Sequence, residues 1–426
     1  MGRKVQVELP FGEGNLSVAV DEERFGEVAL PRKVDLPKSP ERTVREALEN
    51  PVGTPPLEAI VRPGERVAVI IDDITRETPT RLILPMVLEA LGKGGVRRED
   101  VAIVIALGTH RPMTEREIDL KIGPRIARDY RIVNVPAWEE GRMVDAGVSS
   151  AGIPARLLED VVAADRRIGI GMIVPHMDAG FGGGAKIILP GVCATETVEA
   201  FHARMATLSL NPFGMAEAPL RTDLEAFVGE RIGLDFILNA VLDCDGALYR
   251  CVAGHFIHAH REGIRFTEAV YGAPVSRRHP VVVTGAFPHQ IDLWQATKGL
   301  AGGDLMTEDG GTLILLAQCP EGVGPHPAFP DYIGRDPEDL QRRMMEESVG
   351  DPVAAAVAIA ICRMRKRIRL SIISPGIDAD VARRMGFSHH NSVEAAIAAT
   401  PRGAAGTVAF LPHGGVTLPL LNHENC

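Results

Sequence analysis

Short apolar runs rich in valine and isoleucine alternate along the chain with longer stretches of helical spacing. Residues 66–71 (Arg-Val-Ala-Val-Ile-Ile) stop at Asp72 and Asp73, and such an unbroken run predicts a strand covered on both faces. Over 81–91, apolar positions recur at helical intervals and the pattern closes at Gly92. A second buried strand is predicted over 101–107, running into Gly108-Thr109-His110. A helix over 114–122 follows, with Thr114 and Glu117 spaced as a capping box. Strands are predicted at 131–135 and 167–174, and Thr195 is placed to cap a helix that carries His202. The second half repeats the theme: strands at 281–284, 312–317, 369–373 and 407–411, and helices at 293–300, 338–347, 353–365, 379–385 and 393–399.

Strands that alternate with helices predict an α/β protein with largely parallel sheets. At 426 residues the chain is long for one core, which predicts two α/β domains. We assign residues 1–272 to an N-terminal domain and 280–405 to a C-terminal one, joined by a basic, proline-bearing linker at 272–280. The tail, 406–426, is expected to pack back on the first domain.

Composition narrows the function. A hydrophobic share of 45% and a charged share of 24% are those of a soluble globular protein. A net charge of -10 argues against a nucleic-acid partner, which wants a basic face. The six cysteines (Cys193, Cys244, Cys251, Cys319, Cys362, Cys426) include no Cys-x-x-Cys pair, so neither a zinc site nor a disulfide framework is indicated. The first residues lack the apolar stretch of a signal peptide, and no apolar run nears the roughly 18 residues of a membrane span. We therefore expect a cytoplasmic enzyme or binder of small molecules, with no membrane partner.

In parallel sheets, ligands bind beyond the carboxyl ends of the strands. Three chemistry-bearing segments fall there: 72–78, 108–114 and 175–186. The last holds His176, then Gly180, Gly182, Gly183 and Gly184, then Lys186. Lysine is scarce, 8 against 38 arginines, so a lysine at the exit of a glycine loop is conspicuous. The loop is not a P-loop, because Ala185 precedes the lysine and Ile187 follows it. Nor does it open a helix as a dinucleotide fingerprint would. Its bland alternative is a flexible surface turn.

His110 and His176 each close a strand, where an imidazole serves as a general base or simply caps the next element. Arg76 lies among Asp72, Asp73 and Glu77. It either grips a substrate carboxylate or pairs internally, and the segment alone does not choose. Gln295 and Lys298 are three apart, on one helical face, either facing an anion or solvent. His255, His258 and His260 share no single periodicity, so we read them as structural rather than as a metal site.

Taken together, these segments resemble the nickel-pincer-dependent lactate racemase family. The matching stretches are Asp73-Ile-Thr-Arg76, Leu107-Gly-Thr-His-Arg-Pro-Met113, His176 with Ala179-Gly-Phe-Gly-Gly-Gly-Ala-Lys186, His202 and Gln295-Ala-Thr-Lys298. The resemblance implies a site in the cleft between two α/β domains. It implies a nickel-pincer nucleotide, a pyridinium mononucleotide with two sulfur-bearing arms, tethered to Lys186 along the loop of Gly182, Gly183 and Gly184. It implies His202 as the protein's nickel ligand and His110 and His176 as an acid/base pair. Arg76, Gln295 and Lys298 match substrate-binding positions, and Asp73 matches an acidic residue supporting the cofactor site. The implied partners are a 2-hydroxy acid and the enzymes that build the cofactor.

Elementary chemistry is consistent with that family. Inverting a stereocentre requires reaching both faces of one carbon. A C–H beside a carboxylate is a very weak acid, and its removal as a proton usually calls for a metal held by carboxylates. No such acidic cluster is evident, which favours hydride removal through a 2-keto acid. One residue departs from the pattern: Glu77 stands where proline is expected after the arginine. Two other readings compete with a racemase. A nicotinamide-dependent 2-hydroxy-acid dehydrogenase would use the same fold class, and a non-catalytic nickel or cofactor binder would leave His110 and His176 idle.

Overall fold

The computed structural model describes residues 3–206, 211–346, 348–401 and 406–421. Glu347, which ends one expected helix, and the last five positions of the expected tail, Cys426 among them, lie outside them. The fold is a mixed α/β architecture built on two six-stranded sheets. The first runs in the order Leu248–Gly254, Phe236–Leu242, Arg166–Met172, Val67–Asp72, Val101–Ala106, Arg131–Val133. Its strands are parallel except for Leu248–Gly254 at the edge. The second runs Ser388–His389, Arg369–Ile373, Thr307–Leu316, His279–Gly285, Val408–Leu411, Phe25–Val28, all parallel.

The apolar runs become the central strands because both faces of each sheet are covered, by helices and, on one face of the second sheet, also by a β-hairpin. Every residue of Val67–Asp72 and of His279–Gly285 is buried. Thr114 caps the helix Glu115–Ile122 and the Glu117 side chain bonds back, completing the expected box. No helix among the described residues is long and apolar enough to cross a membrane.

Several boundaries move. The helix Thr80–Lys93 passes through Gly92 and ends at Gly94, since one glycine does not stop a helix whose apolar face is held. Thr195 begins the helix Thr195–Ala206 from inside. The expected helix at 293–300 is two, Leu293–Ala296 and Lys298–Met306, with Thr297 between them bonding back to the Trp294 carbonyl. The expected linker carries a strand, Gly272–Val275, paired in parallel with Leu418–Leu421. Residues 4–28, assigned to the first domain, lie against the second sheet. The hairpin of Lys4–Phe11 and Gly14–Asp21 packs Val7, Leu9, Val18 and Val20 onto Val281, Val283, Ile314 and Phe410. Within the tail, Val408–Leu411 enters the second sheet between His279–Gly285 and Phe25–Val28.

The two halves share one buried cluster, which runs from Ile70 and Val104 through Phe181, Ile188 and Phe201 to Leu313, Leu315 and the helix Pro352–Arg367. Helix Thr195–Ala206 packs against Pro352–Arg367, so the element that carries His202 bridges the halves.

Candidate active site

The carboxyl end of Val67–Asp72 turns at once into a hydrogen-bonded knot. Asp73 Oδ1 accepts from the Thr75 backbone N–H at 3.1 Å and from its hydroxyl at 2.6 Å. Asp73 Oδ2 lies 2.7 Å from His110 Nδ1. Burial works against ionising Asp73, but the bonds from His110 and Thr75 win and hold its carboxyl below the usual range. An ionised carboxylate only accepts, so His110 Nδ1 carries a proton, and in the neutral ring Nε2 keeps the lone pair. Its side chain is 44% exposed, open to a ligand.

Arg76 makes none of the internal ion pairs the sequence left open. Its guanidinium donates to Thr75 Oγ1 at 2.9 Å and is otherwise exposed. Asp72 is met by Lys121, whose ammonium is 2.8 Å from Oδ1 and also 2.8 Å from the Arg76 carbonyl. Lys121 is almost fully buried and sets the turn that presents Arg76. Glu77 has no ion pair among the described residues. Its charge is felt by the phenol of buried Tyr271, which burial foremost pushes up.

The glycine loop is buried and hydrogen-bonded from outside, not a surface turn. The fully buried Arg221, on the helix Pro219–Arg231, donates to the carbonyls of Ala179 (3.4 Å), Gly183 (3.2 Å) and Phe181. Asn239 Oδ1 accepts from the Gly184 N–H at 2.8 Å, and His260 Nε2 bonds the Gly182 carbonyl at 2.7 Å. Gly180 and Gly183 have φ of +72° and +71°, and a Cβ at either would strike the carbonyl oxygen of Met215 (1.9 Å) or Met172 (2.8 Å). These glycines are required by the loop's own packing. Gly182 alone of the loop's four meets nothing closer than 3.5 Å.

The loop delivers Lys186 on a short 3-10 turn, Gly184–Ile187. Its Nζ is 3.2 Å from His176 Nε2. Burial foremost pushes the amine down to about 7, against the pull of Asp178 and with help from Arg221, Arg76 and Lys298. Burial, then Lys186, Lys298 and Arg76, hold His176 well below the usual imidazole value. Burial lowers His202 also, and its Nδ1 lies 2.7 Å from the Val198 carbonyl. That bond requires a proton on Nδ1 and leaves the Nε2 lone pair free, the form in which imidazole binds metals. Among the described residues no three His, Cys, Asp or Glu side chains converge as a metal site.

The second half supplies Lys298, whose Nζ donates to Gln295 Oε1 at 2.5 Å despite the break at Thr297. Asp292 fixes this turn by accepting from the Gln295 N–H at 2.7 Å. Burial first, then Arg76, pushes Lys298 down to about 8. Arg76 and Lys298 both act on His176 and Lys186, so the carboxyl ends of the two sheets address one space.

His289 and Asp178 are site residues that the sequence did not single out. His289 is driven to about 3 by burial and then by Lys298 and Arg76. Asp178 is 8% exposed, accepts no hydrogen bond among the described residues, and acts on Lys186, His202 and Lys298. Its place two residues after His176 was the available signal. Of the histidine trio, His260 holds the loop, while His255 and His258 stack on each other at 4.5 Å.

Residues 11–211 match the family model of the lactate racemase N-terminal domain, and 277–418 that of the lactate racemase C-terminal domain. Over 379 residues the chain is 28% identical to a lactate racemase of Thermoanaerobacterium thermosaccharolyticum, covering 86% of this chain and 88% of that protein. Over 422 residues it is 25% identical to a lactate racemase of Lactiplantibacillus plantarum, covering 96% and 98%. The solved lactate racemase apoprotein of T. thermosaccharolyticum superposes with a TM-score of 0.87 at 25% identity, over 98% of this chain and 100% of that one. A crystal structure from Thermotoga maritima, with a TM-score of 0.68 at 19% identity over 90% and 98%, shares the fold.

Proposed function

Because the chain belongs to the lactate racemase family, and is thereby an isomerase, we propose that it inverts C2 of a lactate-like 2-hydroxy acid with a nickel-pincer nucleotide tethered at Lys186. The observation that carries this reading is Lys186 itself: an amine pushed down to about 7, fixed at the exit of a clamped loop. An ordinary lysine, near 10.4, is almost wholly protonated at neutral pH and is a poor nucleophile. Burial leaves far more of Lys186 as free amine than an ordinary lysine has at neutral pH.

The residues present fit the group. His202 offers one free imidazole nitrogen, and one is what a pincer that brings its own carbon and two sulfurs leaves for the protein. Lys186 supplies the tether, Gly182, Gly183 and Gly184 line the approach, and Asp73 supports the site through His110. When bound, the nucleotide supplies an acceptor for hydride from C2.

The chain's own groups do the rest. Arg76 and Lys298 hold the substrate carboxylate, and Gln295 fixes Lys298 and orients the hydroxyl. His110, with its Nε2 lone pair backed by Asp73, takes the hydroxyl proton on one side. The 2-keto acid so formed turns within the site. His176 holds or returns the proton at the oxygen for the other face. The enzymes that build the nucleotide are necessary partners. The cytoplasm is the expected place of action, in keeping with five free cysteines among the described residues.

A substrate deuterated at C2, lactate first, tests the reaction. Inversion in ordinary water by cofactor-loaded enzyme should retain the label, and washout into solvent would exclude hydride transfer. The intact mass of loaded enzyme should show an adduct that Lys186→Ala lacks.

A further inference from the structure

We infer that His176 has a task that precedes catalysis: in the cofactor-free protein it holds Lys186 as an unprotonated amine by donating Nε2–H to Nζ, which primes the lysine for attachment. The inference rests on the reading of Lys186 as the tether and concerns how that tether is made. It follows from the direction of two hydrogen bonds. The Asp178 backbone N–H donates to His176 Nδ1 at 3.1 Å. A backbone amide cannot accept in that position, so Nδ1 is unprotonated. A neutral imidazole carries one N–H, which must then be on Nε2. Nε2 is the atom 3.2 Å from Lys186 Nζ. An ammonium there would set N–H against N–H. The arrangement closes only if Nζ offers its lone pair.

The surroundings agree with this direction. Arg221, Arg76 and Lys298 repel a charge on Lys186. Asp178 is the opposing carboxylate, but it accepts no bond from Nζ among the described residues, and its oxygen is 3.8 Å from His176 Nδ1. The same ring cannot serve the substrate hydroxyl while its Nε2–H is engaged with a free amine. Once Nζ is acylated its lone pair is delocalised and it no longer accepts strongly. His176 is then released, so attachment of the cofactor and arming of the second histidine are one event.

Pulse acetylation of the cofactor-free protein tests this. With limiting acetic anhydride, Nζ attacks a carbonyl carbon, an N–C bond forms, acetate leaves, and the surplus amine proton passes to buffer. Peptide mass spectrometry would follow Lys186 from pH 5.5 to 9.5, with exposed Lys33 and Lys38 as internal references. In the wild type Lys186 should reach half-maximal reactivity near pH 7. In His176→Phe, which keeps the apolar bulk and removes the donor, the midpoint should rise by about one unit or more, at least about a fivefold loss of reactivity at pH 7. An unmoved midpoint would mean that burial alone frees the amine, and would overturn the inference.

The wild type gives a second reading that needs no variant. In histidine labelled with nitrogen-15, long-range couplings should report His176 as the Nε2–H tautomer, and an Nδ1–H signal would overturn the inference. Its failure is separable from that of the proposed function. An unmoved midpoint with a normal adduct leaves the racemase intact, whereas a primed Lys186 that never acquires an adduct sinks the tether and leaves the priming.

Discussion

His110 and His176 both leave the carboxyl edge of the first sheet, yet they are wired in opposite senses. Behind His110 stands a carboxylate, so Nδ1 donates and, in the neutral ring, Nε2 presents a lone pair. Behind His176 stands a backbone N–H, so Nδ1 accepts and Nε2 presents a proton. His110 is open and acid-backed, while His176 is enclosed among Lys186, Lys298 and Arg76. Identical rings are thus set as an acceptor and a donor by what lies behind them. An inversion, which takes a proton on one side and returns it on the other, needs that difference in its starting state.

The bluntest way to break the contrast is to remove either ring. His110→Ala and His176→Ala should each lower kcat of the loaded enzyme by about 10²–10⁴-fold, the usual contribution of a positioned acid or base. Near-normal turnover in one of them would end the two-histidine reading. A finer cut is Asp73→Asn. The amide would donate to His110 Nδ1, force the proton onto Nε2, and leave both rings in the same sense. We expect a fall of about 10²-fold in kcat/KM, equal in both directions because a racemase equilibrium is fixed at one. A loss in KM alone would mean that Asp73 serves binding only.

The smallest effect concerns pH. Lys298 is pushed down to about 8 by burial, so its ammonium is lost from the free enzyme as pH rises through that value. KM should then climb above about pH 8 while kcat at saturation stays level. Lys298→Arg, which keeps its charge, should remove that limb, and an unchanged limb would assign it elsewhere.

Sequence pattern carried the strands well. A run such as 66–71 has only one way to bury valine and isoleucine on every position, and Thr114 with Glu117 is a local device that works without tertiary help. What sequence could not carry was partnership across long separations. Phe25–Val28 joins the second sheet beside a strand nearly 400 residues later, and no local pattern encodes that pairing. The break at Thr297 depends on a hydroxyl choosing the Trp294 carbonyl over solvent.

The site was legible where residue type is unusual. Lys186 stood out by scarcity, and Lys121, another of the eight lysines, bore the same signal. Arg221 did not, because one arginine among 38 carries no mark until its three carbonyl partners are seen. Asp178 and His289 likewise act through a shared space that exists only after folding.

That arginine bears on engineering. The stretch from His176 to Lys186 reads as a portable cassette, eleven residues ready to splice into another α/β protein. Its shape, however, is specified from outside. The loop belongs to a four-piece assembly with Arg221, Asn239 and His260, drawn from two helices and a strand. A graft of the eleven residues alone would carry the glycines without the grip, so a transplantable site must move those three supports as one unit with Lys186.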